Sequence, residues 1–464
     1  MRNRTVERTH LKFFFPFTYK KKDFAHLSDA LLQAHFNYYS FHEQALGKES
    51  IILDQFFYPF IQEKLFHPVP SIDNFNRYQK VIEDHYFIQF DDEKIRFTVN
   101  ELSIVLCPFH TAIICISIQL EPTLKFAHVM DFARYFRQLK MHPLTEKKFH
   151  IIHESVHFPS SEAFIFNHYI PMIKPFIEHH NQHGYVGSLP FFEDERMYTM
   201  MTLRVLDDDV SDNELFRACQ LDGTDSNGRI KVSSFNASYI EQYIKDHIYD
   251  RWRPKVSIMT TAQVQIIATS FQHEQWAEVK LHVETSLFYN FLIHYFYKIV
   301  LLKLNYEHST QNWKNDIVIA ESIIENMTAF SSTLFFKQVA IRSSGRELAN
   351  KYRKAFYIDD LYQELKSSVN DEYRVLEDEN TDRYNQLLFF LTVFTVISGI
   401  YGMNLVIESW DQPLQWGMLR SMSFFEVVAF FTGLVGIWLS FFLVGSAIIR
   451  AIIYMIRKKN YKSY

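Results

Sequence analysis

The segment Tyr401-Gly402-Met403-Asn404 places a glycine and a neutral amide next to the end of a long apolar run. Glycine lets a backbone turn and lets other chains approach closely, and the last carbonyl groups of a helix lack intrahelical partners. Neutral oxygens can hydrogen-bond the water shell of Mg²⁺, which gives up water reluctantly, without trapping the ion as carboxylates would. The sequence therefore predicts that Gly402, Met403 and Asn404 form a selectivity site, with Asn404 as the metal-contacting side chain.

A row of mainly small and polar residues leads back from Gly402 in helical steps of three and four. It comprises Thr381, Asn385, Leu388, Thr392, Thr395 and Gly399. Polar residues within a membrane span usually face a bundle interior or water, although small and hydroxylated residues also favour close helix packing. Because the row ends at Asn404, beside the acidic Glu408 and Asp411, we interpret it as the lining of a pore.

Two uncharged apolar runs near the C-terminus predict transmembrane helices. The first is Leu387 to Tyr401, LLFFLTVFTVISGIY, and the second is Val427 to Ile449. A span needs about 20 residues, so we place transmembrane helix 1 at 384–403 and transmembrane helix 2 at 424–449. A third apolar stretch, Ser286 to Leu304, contains two lysines and a histidine, and it is predicted to be a buried helix outside the membrane.

The charges around the two spans predict their orientation. Residues 404–423 form a short hairpin with a single basic residue, whereas the tail 450–464 is rich in Lys and Arg. By the positive-inside tendency the tail is cytosolic and the hairpin is extracytoplasmic. Both termini are then cytosolic in a multi-pass protein of the cytoplasmic (inner) membrane. The N-terminal aromatic patch, Phe13 to Phe17, is too short for a secretory signal.

The remaining chain predicts a large cytosolic α/β domain at 1–270, followed by a helical stalk region at 271–383. Strands are predicted at His85–Phe90, Lys94–Val99, Leu102–Leu106, Ala112–Leu120, Met197–Leu206 and Val256–Ile267. Helices are predicted at Asp23–Phe41, Val129–Leu139 and Val232–Ile248. Since no proline lies between Pro254 and Pro413, a single helix is expected from Arg346 to Tyr401, with Gly345 as the interruption before it.

Composition excludes several classes of function. The formal net charge of -5 argues against a nucleic-acid partner held by phosphate contacts. The sequence has no Gly-rich phosphate loop, so no nucleotide cofactor is expected. The transporter interpretation predicts no enzymatic activity. Cys107, Cys115 and Cys219 lack metal-ligand spacing and are predicted to be buried free thiols. The 22% of charged residues is too high for a protein that lies wholly in lipid.

The C-terminal pattern resembles the CorA family of magnesium transporters. The resemblance lies in two C-terminal spans, a long charged helix before the first, the segment Gly399-Ile400-Tyr401-Gly402-Met403-Asn404 and a basic tail. It implies an α+β, CorA-like membrane protein that assembles as a homopentamer in the lipid bilayer and passes Mg²⁺ inward. It also implies that cytosolic Mg²⁺ closes the pore. Unlike many members, this chain has Thr392-Val393-Phe394 where they carry proline and methionine.

Three other functions are compatible with parts of the sequence. The same architecture could pass Zn²⁺, Co²⁺ or Ni²⁺, and the cluster Glu178 to His183 could bind such a metal. The segment His153-Glu154-Ser155-Val156-His157 matches H-E-x-x-H, which on a helix would form the zinc site of a metalloprotease. A membrane scaffold without transport would explain the spans, but it would not explain the residues at the end of the first span.

Overall fold

The computed structural model describes most of the chain up to Asn404 and single positions between 423 and 445. The described ranges are 4–39, 48–90, 93–140, 148–177, 196–206, 210–225, 227–253, 255–270, 273–310 and 317–404. The chain divides into two compact units. Unit 1 comprises Met1–Ser309 and Thr328–Leu365, and unit 2 comprises Thr310–Met327 and Lys366–Tyr464.

Unit 1 is built around one large sheet of twelve strands. The strands are β1 Thr5–Thr18, β2 Asn37–Tyr38, β3 Asn76–Phe90, β4 Glu93–Cys107, β5 Thr111–Leu120, β6 Leu124–Lys125, β7 Phe149–His153, β8 Val156–Phe158, β9 Tyr198–Val205, β10 Ile248–Tyr249, β11 Val256–Thr260 and β12 Val264–Thr269. Their order is β10-β11-β12-β9-β1-β5-β4-β3-β7-β8, with β2 beside β3 and β6 beside β1. The pair β9 and β12 is parallel, and the other described pairs are antiparallel. The predicted mixed α/β class is confirmed at this level.

Helices cover the sheet and occupy the C-terminal part of the described chain. They are α1 Phe24–Gln33, α2 Lys48–Phe56, α3 Pro59–Leu65, α4 Phe126–Phe136, α5 Asp212–Gln220, α6 Ala237–His247, α7 His273–Glu284, α8 Ser286–Thr310, α9 Ile317–Thr333, α10 Ser343–Ala355 and α11 Ile358–Asn404. A π-helical turn, Ala163–Tyr169, and 3-10 turns at Lys21–Asp23, Pro171–Phe176 and Asp250–Trp252 complete the set. The last strand ends at Thr269, close to where the apolar pattern becomes helical.

The strand predictions are largely confirmed, with two corrections and several omissions. The predicted strands Lys94–Val99 and Leu102–Leu106 are one strand, β4. Phe90 pairs with Glu93, so β3 and β4 form the expected hairpin. The predicted strand Val256–Ile267 is wrong as a single element, because the chain reverses after Thr260 and the two halves pair with each other.

Strands β1, β2, β6, β7, β8 and β10 were not predicted from the sequence. The longest omitted strand is β1, a central strand whose run of Phe residues includes Pro16. Proline is tolerated there because β9 pairs with β1 only as far as Phe14, so the missing N–H falls where one neighbour is absent.

The apolar helix α8 packs on the sheet inside unit 1. Its Phe291 ring lies 4.5 Å from the ring of Phe14 on β1, and Phe296 lies 4.9 Å from Phe75. Among the described residues, one helix, Trp276–Ser309, is long and apolar enough to cross a membrane, and 83% of its apolar window is buried within the chain. The prediction that Ser286–Leu304 is a buried helix of the cytosolic part is confirmed as regards burial.

A buried ionic cluster joins α7 to β1. Lys12 Nζ donates a hydrogen bond of 2.6 Å to Glu284 Oε2, and His10 Nε2 lies 2.7 Å from Glu284 Oε1. The Lys12 side chain is only 2% exposed. Arg77 on β3 adds a second pair, with its Nη2 2.9 Å from Glu101 Oε1. Charges this deep are tolerated only when they are paired, so Glu284 is the counter-ion on which Lys12 depends.

The expected single helix from Arg346 to Tyr401 is interrupted once. Helix α10 ends at Ala355 and α11 begins at Ile358, because Tyr357 adopts a left-handed conformation with φ of 54°. The Phe356 side chain is buried, and Arg353 Nε donates to Asp359 Oδ2 at 3.1 Å across the break.

Gly345 is not the interruption that the sequence suggested, since it lies inside α10. A Cβ atom there would lie 2.6 Å from both Ala340 Cβ and Phe56 Cζ. Contacts that short force neighbouring atoms to move, so the glycine is required for close packing of the helix. The residue therefore serves the core of unit 1 and leaves the helix continuous.

Candidate functional site

Helix α11 carries the whole predicted conduction site. It is 47 residues long, which at 1.5 Å per residue corresponds to about 70 Å. Gly402, Met403 and Asn404 are its last three residues, so the helix continues through the glycine and does not leave it there. The structure therefore places the predicted selectivity residues in helical continuity with the predicted pore-lining row.

The predicted pore-lining residues lie on one face of α11. At 100° per residue, Thr381, Asn385, Leu388, Thr392, Thr395 and Gly399 fall within about 80° of arc. All six are exposed in the single chain. The structure therefore brings the row together along the helix and leaves it uncovered.

The hydroxyl groups of the row use their protons within the helix. Thr392 Oγ1 donates to the Leu388 carbonyl at 2.8 Å, and Thr395 Oγ1 donates to the Leu391 carbonyl at 2.8 Å. A hydroxyl that donates to the carbonyl four residues back keeps its lone pairs as acceptors. The two threonines therefore offer oxygen acceptors, and water in a cation's hydration shell can donate to these.

Bulky apolar side chains occupy the rest of the same segment. Phe389, Phe390 and Leu391 are 65%, 57% and 60% exposed. Tyr384–Val396 is an apolar helical stretch shorter than a full span. The described positions from 424 to 442 continue the pattern with exposed Phe424, Phe425, Phe431, Leu434, Val435, Trp438 and Phe442. Exposed apolar surface of this extent is typical of surfaces that contact lipid or another protein.

Gly399 and Gly445 differ from Gly345 in their surroundings. A Cβ atom at either position would meet nothing within 4 Å. Nothing within the described chain therefore requires glycine at these two places. Glycines on exposed apolar helices are typical of sites where a neighbouring helix approaches closely.

Comparison with protein-family models, with curated proteins and with solved structures finds no match for this chain. The resemblance to the CorA family therefore depends on the residues at the end of α11 and on the order of the C-terminal segments.

The other candidate sites have different outcomes. Glu408, Asp411 and the cluster Glu178 to His183 lie outside the described residues. Cys107, Cys115 and Cys219 are buried free thiols, as predicted, and burial raises the pKa of each. Within the described ranges, no group of three or more His, Cys, Asp or Glu residues is arranged to hold a metal ion.

The H-E-x-x-H match does not form the helical zinc site of a metalloprotease. His153 ends β7 and His157 lies in β8, with Glu154 in the turn at a φ of 50°. The ring of His153 packs 4.5 Å from Tyr86, and its Nδ1 lies 3.0 Å from the His85 carbonyl oxygen. The helical interpretation is therefore wrong, because a four-residue spacing is also satisfied by a tight hairpin.

Proposed function

We propose that the chain is one subunit of a homopentameric channel for divalent cations, chiefly Mg²⁺, in the cytoplasmic membrane. The observation that carries this proposal is the composition of α11 between Thr381 and Asn404. One arc holds mainly hydroxyl, amide and glycine residues, the other positions from Leu387 to Ile397 are bulky and apolar, and Gly-Met-Asn follows on the same helix. A helix with these two faces needs an apolar environment on one side and water on the other.

Lipid is the environment that suits the apolar face. Burying a Leu or Phe side chain is worth about 1.5–3 kcal/mol, so exposing Phe389, Phe390 and Leu391 to water is costly. The apolar stretch Tyr384–Val396 is shorter than a span. Residues up to Asn404 belong to the same helix and supply the remaining length. The proposed transmembrane helices remain those at 384–403 and 424–449, with residues 1–383 and the C-terminal tail in the cytosol.

Symmetry then places the polar row. In a closed ring of identical chains the same face of every copy meets at the axis. If Thr392 and Thr395 face that axis, their oxygens line a narrow aqueous path and the opposite arc meets lipid. The number five comes from the resemblance to the CorA family, as does closure of the pore by cytosolic Mg²⁺.

Mg²⁺ fits this path better than softer metals do. It takes oxygen ligands and holds its water, whereas imidazole and thiolate groups favour Zn²⁺, Ni²⁺ and Co²⁺. The described row offers hydroxyl and amide groups. The membrane potential supplies about 2.3 kcal/mol per charge per 100 mV, and twice that for a divalent ion. Entry of Mg²⁺ then needs no nucleotide hydrolysis.

Flux through reconstituted liposomes tests the proposal directly. The full chain is purified in detergent, its mass is measured, and Mg²⁺ uptake is followed with an internal dye under an imposed potential. We expect a pentamer and an uptake that increases with inside-negative potential, together with growth rescue of a magnesium-starved strain. Competition by Co²⁺, Ni²⁺ and Zn²⁺ ranks the alternative cargoes. A monomeric particle, or sealed liposomes without uptake, would contradict the proposal.

A charge on the apolar face is expected to block membrane assembly, whereas a charge on the row is not. Phe390 lies about 180° from the centre of the row, and Thr392 lies within it at nearly the same depth. A lysine facing lipid costs about 2.5–3.5 kcal/mol at the centre of a span, which shifts the equilibrium by roughly 100-fold.

The comparison measures assembled protein in washed membranes for Phe390→Lys and for its matched control Thr392→Lys. The first variant is expected to be nearly absent and the second to be present but inactive in flux. Equal recovery of both variants would mean that the two arcs of α11 do not have different surroundings.

A further inference from the structure

The H-E-x-x-H segment forms a hairpin that separates its two histidines. His153 pairs with Val156, and His157 pairs with Ile152. Neighbouring residues of a strand point to opposite faces, so His153 and His157 lie on opposite faces of the sheet. One ion cannot be bound by both rings. His157 is instead on the same face as His150, which precedes Ile152 by two residues.

The rings of His150 and His157 are neighbours across the two strands. Their centroids are 5.6 Å apart and their planes are inclined by 37°. His157 is exposed and His150 is partly exposed. Strand β8 forms the edge of the sheet, so this face of the hairpin is open to solvent along one side. The arrangement is a pair of accessible imidazoles on a rigid backbone.

The ring separation matches that of two imidazoles on one metal ion. Zinc–nitrogen bonds of about 2.0–2.1 Å, plus about 1.2 Å from nitrogen to ring centre, put two rings on a tetrahedral ion about 5–5.5 Å apart. The observed separation of the ring centroids is 5.6 Å. Backbone pairing fixes the two Cα positions in advance, which lowers the entropy lost on binding.

We propose that His150 and His157 form a two-imidazole binding site for a borderline divalent transition metal such as Zn²⁺, Ni²⁺ or Cu²⁺. Water completes the coordination, since the pair supplies two protein ligands. Imidazole suits these ions, whereas Mg²⁺ prefers oxygen ligands, so the site distinguishes transition metals from Mg²⁺. The site lies in unit 1 and does not depend on the proposed transport activity.

Zinc titration of the full chain in detergent, with excess Mg²⁺ present, tests this site. We expect His150→Ala and His157→Ala each to weaken one class of Zn²⁺ binding by at least about 10-fold. Because either ligand alone is insufficient, the double variant should lose no more than each single variant. His85→Ala is the matched control, since His85 also lies on this side of the sheet, with Nδ1 2.9 Å from Thr98 Oγ1.

Two results would overturn the proposal. One is unchanged Zn²⁺ affinity in both single variants, and the other is a double variant whose loss is the product of the two single losses, which would indicate independent surface histidines. A chemical readout supplements the titration, since Zn²⁺ should protect His157, but not His85, from acylation of its ring. Unfolding midpoints without metal should match the wild type, because neither ring belongs to the core.

Discussion

Replacing Asn404 with alanine is expected to lower Mg²⁺ uptake at least about 100-fold while leaving the pentamer intact. A net hydrogen bond is worth about 1 kcal/mol, and symmetry removes one from every copy, so five copies lose up to about 5 kcal/mol. Half of that sum already corresponds to a factor of nearly 100. The measurement is dye-reported Mg²⁺ influx at a fixed membrane potential, normalised to the amount of reconstituted pentamer.

The matched control is Gln386→Ala, which removes the same amide group from the same helix. Gln386 is exposed and lies 18 residues before Asn404, about 27 Å away along the axis of α11 and far from the proposed selectivity site. It should therefore retain uptake close to that of the wild type. Asn404→Gln keeps the amide group on a longer side chain, so its Mg²⁺ uptake should lie between that of Asn404→Ala and that of Gln386→Ala. Uptake that survives in Asn404→Ala, or an equal loss in Gln386→Ala, would remove Asn404 from the proposed conduction site.

The sequence predicts those parts of unit 1 in which local patterning and packing agree. The hairpin of β3 and β4 follows from alternating apolar residues on both sides of a polar turn. The central strand β1 was missed because its phenylalanines are buried on both faces and do not alternate. The order of the twelve strands could not be predicted either, since neighbours such as β1 and β9 are far apart in the chain.

For the candidate site, helical spacing predicts which residues share a face, but it does not predict where a helix ends. Steps of three and four correctly grouped Thr392 and Thr395, because α11 is regular there. The break at Tyr357 depends on burial of Phe356, which is a tertiary effect. The sequence leaves the helical alternative for His153 and His157 open for the same reason. Spacing alone cannot distinguish one turn of helix from a hairpin whose turn residue adopts a positive φ.

Replacing Glu284 with glutamine is expected to destabilise unit 1 by about 3–5 kcal/mol, because Lys12 would stay buried without its main counter-ion. The change in the free energy of unfolding is measured from the urea midpoint of the purified full chain, with unfolding followed by the circular-dichroism signal of the β-sheet. Glu347→Gln is the matched control. Its partner Arg251 is 2.8 Å away, but both side chains are nearly half exposed, so less than about 1 kcal/mol is expected.

Adding Lys12→Met to Glu284→Gln should recover most of the lost free energy of unfolding, because a buried ion pair can be replaced by apolar groups at little cost.

Burial opposes ionisation of Glu284, but the positive charges of Lys12 and His10 outweigh the effect of burial and hold the pKa of Glu284 well below the ordinary 4.5. Burial also lowers the pKa of His10 from 6.5, against the attraction of Glu284. Both groups bind fewer protons when folded, so stability is full above pH 6.5 and falls as the pH decreases below it. The double variant lacks the carboxylate and should lose less stability below pH 4.5. An equal acid sensitivity in both proteins would assign the pH dependence to other groups.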